Sequence, residues 1–251
     1  VSEPGPAEDP LTKDANHWAA GSTLVVTGGG SGIGAALCRS FVHAGGGVVN
    51  LGRSPARTPG VRNVIVDLGD PHMLDSALDE LEHDDLSVRY LVNNVSFRDI
   101  CQWSSADRAH WKTTFEVNVF APMEICRRLG GRLPEGGAIV NVTSSAARHL
   151  TAGTAAYAAS QAALEAAATV LARELAGHGV RVNTVAPGPT DTPGLRRAVH
   201  SGQSLDEAQL AKRIPLGRLG RPEDITSAIM FLLSPAAGFI TGQTLPANGG
   251  L

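Results

Sequence analysis

Apolar residues in this chain come in short runs that end in glycine, asparagine or proline. Between the runs, apolar positions recur at helical spacing. Residues 23–27 form one such run and lead straight into a glycine-rich turn, as a buried strand does. Residues 33–43 follow as a helix, with Ala35, Ala36, Leu37 and Phe41 as its packing positions. The same reading gives strands at 47–51, 63–66, 89–93, 137–143, 180–186 and 243–246, and helices at 71–82, 107–129, 154–176 and 224–233. Pro71 suits a first helical turn. Gly177-His178-Gly179 closes the alanine-rich helix. Strands separated by helices predict βαβ units, hence an α/β fold: a doubly wound parallel sheet with helices on both faces. Residues 190–214 are read as an irregular insert. They are rich in glycine, serine and charge, follow a strand and are placed to close over a site as a lid.

Composition narrows the picture. A chain of 251 residues suits a single domain. Residues 1–20, rich in Pro, Glu, Asp and Ala and without a secretory apolar core, are expected to be a flexible extension. Residues 21–251 then form the domain. Only 4% of residues are aromatic, so Ala, Val, Leu and Ile must build the core. A net charge of −3 without a basic block argues against a nucleic-acid partner. No apolar run is long enough to span a bilayer, so no membrane partner is expected. Cys38, Cys101 and Cys126 lack metal-like spacing, which predicts reduced thiols, a cytoplasmic location and no metal.

The turn Thr27-Gly-Gly-Gly-Ser-Gly-Ile-Gly34 lies between the first strand and the first helix. Gly28, Gly32 and Gly34 let the backbone come close to a pyrophosphate, and the helix start offers free N–H groups. The required strand-turn-helix context is present. After the second strand, Gly52 stands where an acid would grip a ribose 2′-hydroxyl, and Arg53 follows. That favours NADP(H), with NAD(H) as the alternative. Asp67, after the third strand, suits either the adenine amino group or a cap on the next turn.

Thr27-Gly-x-x-x-Gly-x-Gly34, Asn93-Asn94, Asn118, Ser144 and Tyr157, in this order, resemble the short-chain dehydrogenase/reductase family in its compact single-domain branch. So do Arg218-Leu-Gly-Arg-Pro-Glu-Asp224 and the Thr241-Gly-Gln ending, and the likeness runs from about residue 21 to the end. The resemblance implies a Rossmann-type sheet of about seven strands, an NAD(P)(H) cofactor and a small-molecule substrate. It also implies a homodimer or homotetramer. Position by position, it makes Tyr157 the general acid/base and Ser144 the group that polarises the substrate oxygen, with Ser145 the alternative hydroxyl. Asn118 helps hold a water in a proton relay. Gly28, Ser31 and Ile33 contact phosphates and ribose, Asn93 lines the adenine-ribose side, and Pro187, Gly188 and Thr192 frame the nicotinamide.

Two positions depart from that pattern. The family carries lysine one helical turn after the tyrosine, and here the residue is Gln161. Spacing of i to i+4 keeps it on the tyrosine's helix face. A glutamine can hydrogen-bond a ribose, but it brings no charge to favour a phenolate. An unassisted tyrosine titrates near about 10, so base catalysis suffers more than acid catalysis. Lys13, Lys112 and Lys212, the only lysines, sit in no motif near the site. Arg148 and His149 are the nearest replacement groups, or else solvated loop residues. The second departure is Val95-Ser96, where the family ends its Asn-Asn motif in Ala-Gly, adding a side chain where backbone and cofactor approach. Three functions fit: an NADP(H)-dependent carbonyl reductase or alcohol dehydrogenase retuned by Gln161; a non-redox dehydratase or isomerase on the same scaffold; and a catalytically silent nucleotide-binding subunit of a hetero-oligomer.

Overall fold

The computed structural model describes residues 18–84, 86–200 and 206–251. Residues 1–17 of the expected extension lie outside them. The strands are β1 (Thr23–Thr27), β2 (Gly47–Gly52), β3 (Val61–Ile65), β4 (Val88–Asn93), β5 (Ala138–Val142), β6 (Arg181–Pro187) and β7 (Thr244–Ala247). The helices are α1 (Gly32–His43), α2 (Pro71–His83), α3 (Arg108–Phe115), α4 (Ala121–Leu129), α5 (Ala155–Leu175), α6 (Pro193–His200), α7 (Glu207–Arg213) and α8 (Pro222–Leu233). All strand pairs are parallel, in the order β3-β2-β1-β4-β5-β6-β7. This is the Rossmann-type doubly wound sheet that the sequence implies.

Alternation along the strands sends side chains into two apolar layers. Val25, Leu91 and Ile139 face α2, α4 and α5, where Leu78, Ile125 and Ala168 lie. Leu24, Val26, Val92 and Val140 face α1 and α8, where Leu37, Phe41 and Ile229 lie. Tightly buried valines on both faces explain why the strands read as continuous apolar runs. Trp18 stacks edge-on against Phe41 and Tyr90, and Ala19 is fully buried, so the core begins before residue 21.

Two elements differ from expectation. The helix expected over 107–129 is interrupted by a wider π turn, Glu116–Phe120, between α3 and α4. Pro122 lacks an N–H to offer the carbonyl four residues back, and a local change of helical pitch absorbs the loss. The insert 190–214 is less irregular than expected. It holds α6 and α7, the latter capped by Asp206, whose carboxylate accepts from the Gln209 N–H at 2.7 Å.

The strand order reverses between β1 and β4. Sheets of this type bind ligands beyond the strand C-termini at that point. Thr27 ends β1 and Asn93 ends β4, so the motif residues meet there.

Candidate active site

The glycine-rich turn is held from three sides. Gly28 has φ of +74°, a conformation that favours glycine. A Cβ on Gly34 would lie 2.2 Å from the Gly28 carbonyl oxygen, so no side chain fits there. Asn50, fully buried on β2, accepts from the Gly29 N–H at 2.6 Å and donates to Asn63 Oδ1 at 2.9 Å. Sequence reasoning missed Asn50; a polar residue inside the apolar run Val48–Leu51 is the signal that marks it.

Ser31 is the N-cap of α1, yet its hydroxyl makes no capping bond and is exposed. The start of α1 therefore presents unclaimed N–H groups and a free hydroxyl, the arrangement an anion needs. Ile33, by contrast, packs partly into the α1–α8 layer. Thr192 of the insert covers this turn: a Cβ on Gly32 would come within 3.1 Å of the Thr192 methyl. Gly188 follows β6, and its N–H bonds the Ala247 carbonyl at 3.1 Å. Pro187 is the buried last residue of β6.

Arg53 is 79% exposed, and its guanidinium lies 4.0 Å from Asp67. Asp67 also accepts from the Gly69 N–H at 3.0 Å, the turn-capping alternative. An exposed pair this long contributes little and leaves Arg53 free to reorient.

Asn93 departs from its expected place. Its amide is turned into the core, donating to Asn141 Oδ1 at 2.9 Å and lying 3.4 Å from Cys126 Sγ. Only its backbone reaches the strand end. The next residues carry the connection instead. Thr27 Oγ1 accepts from the N–H groups of Asn94 and Val95 at 2.8 and 3.0 Å, and Asn94 Nδ2 returns a bond to the Thr27 carbonyl at 3.0 Å.

On the other side of the switch point lie the hydroxyl groups. Tyr157 and Gln161 share the buried face of α5, at 6% and 1% exposure. Ser96 Oγ lies 3.5 Å from the Tyr157 hydroxyl. Asn118, on the π turn, holds Phe97 by both backbone groups: Oδ1 accepts from its N–H at 2.7 Å and Nδ2 donates to its carbonyl at 2.9 Å. Asn118 Nδ2 also donates to Ser160 Oγ at 2.9 Å, and Ser160 donates to the Tyr157 carbonyl at 2.7 Å. Ser144 follows β5 and caps the short turn Ser145–Ala147 by accepting from the Ala146 N–H at 3.1 Å, which leaves its own hydroxyl hydrogen to donate. Arg148 is engaged elsewhere. Its guanidinium grips Glu165 of α5 at 2.7 and 3.2 Å, and Thr143 donates to the same carboxylate at 3.1 Å. His149 is exposed on the loop beside it.

Gln161 Oε1 is buried with no hydrogen-bond partner among the described residues. A buried carbonyl oxygen without a donor costs about 1–3 kcal/mol. A sugar hydroxyl placed beside Tyr157 would satisfy it. Together with the unclaimed start of α1 and the side-chain-free turn, the residues present fit a dinucleotide.

The sequence comparisons agree with this geometry. A family model described as Enoyl-(Acyl carrier protein) reductase matches residues 28–251. The chain belongs to the short-chain dehydrogenase/reductase family. Among short-chain dehydrogenase/reductase relatives, human L-xylulose reductase is 34% identical over 241 residues, covering 92% of this chain and 96% of that one. The 2,3-dihydro-2,3-dihydroxybenzoate dehydrogenase of Escherichia coli is 33% identical over 240 residues, with the same coverage. A blue fluorescent protein from a metagenomic library, solved in complex with NADPH, superposes with a TM-score of 0.84 at 28% identity, covering 93% of this chain and 98% of that one. The chain is thus of the oxidoreductase type these family members share.

Proposed function

We propose that this chain is an NADP(H)-dependent carbonyl reductase, reversible as an alcohol dehydrogenase, whose proton chemistry is retuned by Gln161. One observation carries the reading: Tyr157 and the unpartnered Gln161 oxygen share one buried helix face at the strand C-termini, where the glycine turn also lies. The bound dinucleotide supplies the hydride. Gly28, Ser31, Gly32 and Gly34 hold its phosphates, Gln161 a ribose hydroxyl, and Pro187, Gly188 and Thr192 enclose the nicotinamide end. Ser144 donates to the substrate oxygen, and Tyr157 gives that oxygen its proton. The preference for NADP(H) rests on Arg53 next to Gly52, since a 2′-phosphate would draw the exposed guanidinium from its long contact with Asp67. The NADPH-bound relative supports it, and the named relatives favour small polar carbonyl or alcohol substrates.

The reading includes a homo-oligomer. Phe231 on α8, Phe239, and Leu245 on the edge strand β7 are exposed apolar side chains. It also includes a cytoplasmic location with reduced thiols. No described helix is long and apolar enough to cross a membrane. A second reading, a nucleotide-binding subunit without turnover of its own, is favoured by the neutral Gln161.

Calorimetric titration with NADPH and NADH tests the proposal. NADPH is expected to bind about tenfold more tightly, the scale of one charge-assisted contact, and Arg53→Asp to reverse the order. A carbonyl-substrate screen then compares the protein with Gln161→Lys, whose turnover should rise about tenfold or more. No heat with either nucleotide overturns the proposal. Nucleotide binding with no turnover in either protein favours the silent subunit.

A further inference from the structure

We propose that Ser96 is a catalytic residue that passes protons between the Tyr157 hydroxyl and solvent, an inference that rests on the reductase reading above. Tyr157 is buried, and Ser96 is exposed at the cleft. Among the described residues, Ser96 is the one side chain within hydrogen-bond reach of the Tyr157 hydroxyl, at 3.5 Å. That is longer than the usual hydroxyl–hydroxyl separation, as catalytic contacts in ligand-free sites often are before substrate tightens them.

The serine is fixed from both sides. Thr27 holds the two preceding N–H groups, and Asn118 holds both backbone groups of the following residue. Asn118 is in turn tied through Ser160 to the backbone of Tyr157. A closed circuit of hydrogen bonds therefore sets the Ser96–Tyr157 distance. Asn118 has spent both amide hydrogens in that circuit, on Phe97 and Ser160, so its side chain has no donor left for a relay water. Gln161 carries no charge or exchangeable acid. Among the described side chains, the neighbouring Ser96 hydroxyl is the one that links the phenol proton to solvent.

The protons balance along this route. In reduction the Tyr157 O–H bond breaks as its proton goes to the substrate oxygen. The phenolate oxygen takes the Ser96 proton, and Ser96 takes one from water at the cleft mouth. In oxidation each transfer reverses. A serine passes the proton on in one concerted exchange and carries no net charge before or after it.

The test begins with a calorimetric titration of NADPH into the unsubstituted protein, which shows whether the nucleotide site is present. With a carbonyl substrate and NADPH, Ser96→Ala should lower kcat about tenfold with KM unchanged, and a small buffer acid such as imidazole should restore it. Ser96→Thr should turn over without imidazole. Far-UV circular dichroism confirms that each variant is folded. An unchanged kcat in Ser96→Ala overturns the proposal, as does a kcat loss that neither threonine nor imidazole repairs. Failure of the reductase reading is distinct, because it shows as absent NADPH binding in the unsubstituted protein before any variant is compared.

Discussion

Asn93, Asn141 and Cys126 form a small polar knot inside an otherwise apolar layer. Burial pushes the Cys126 thiol up to about 12, opposed in part by the Asn93 amide, and pushes Cys38 up to about 11. Thiolates are the reactive form, so both groups should be inert in the native protein. Cys101, half-buried on the loop after β4, is not so enclosed. A disulfide reagent at neutral pH should therefore titrate one thiol quickly and two only after denaturant is added. Cys101→Ser should abolish the fast phase, and a fast phase surviving in that variant would contradict the assignment. The sequence shows the Asn-Asn motif but not which way each side chain turns. Strand parity was the available clue, since Asn93 shares a strand face with Leu91, which is in the core. The Tyr157–Gln161 pair was legible because helical spacing alone puts residues i and i+4 together. The Ser96 contact was not, because it joins segments 61 residues apart.

Element boundaries were legible wherever apolar period and capping chemistry agree. Asp70 accepts from the His72 and Met73 N–H groups at the start of α2, beside the Pro71 that announces it. Where a single residue breaks period, the sequence shows the breaker and not the remedy, as at Pro122 and the π turn. Arg181 is another case. It opens β6, is 9% exposed, and donates to the carbonyls of Leu232, Leu233 and Ser234 at 2.6, 3.0 and 3.1 Å. Its guanidinium thus caps the C-terminus of α8 and meets the negative end of that helix. Burial lowers its affinity for its proton somewhat, yet it stays charged far above neutral pH. Arg181→Met keeps the aliphatic bulk and orphans the three carbonyls. The loss should be about 3 kcal/mol, or a Tm lower by about 6–10 °C, read by calorimetry. A change below about 1 kcal/mol would show that water replaces the guanidinium without penalty.

For the molecule as a whole, the two raised thiols set a pH dependence. Each folded-state value lies above the ordinary thiol value near 9, so the folded chain keeps protons that the unfolded chain releases. Their stabilising contribution is complete below about pH 9 and is lost as pH climbs toward the folded values. Between pH 8 and 10 the two together should cost about 2–3 kcal/mol. Urea midpoints should fall steadily over that range, and more shallowly in Cys126→Ala; parallel profiles would show that other groups govern the alkaline limb.

The architecture itself has a further cost. Every pairing in the seven-stranded sheet is parallel, so no strand meets its partner through a tight hairpin. Chain closure must bring distant segments together before any ladder forms, which makes assembly slow and leaves partly built sheet edges exposed. Recovery after denaturation should therefore depend steeply on protein concentration, with dilute, cool refolding yielding far more active material than concentrated refolding.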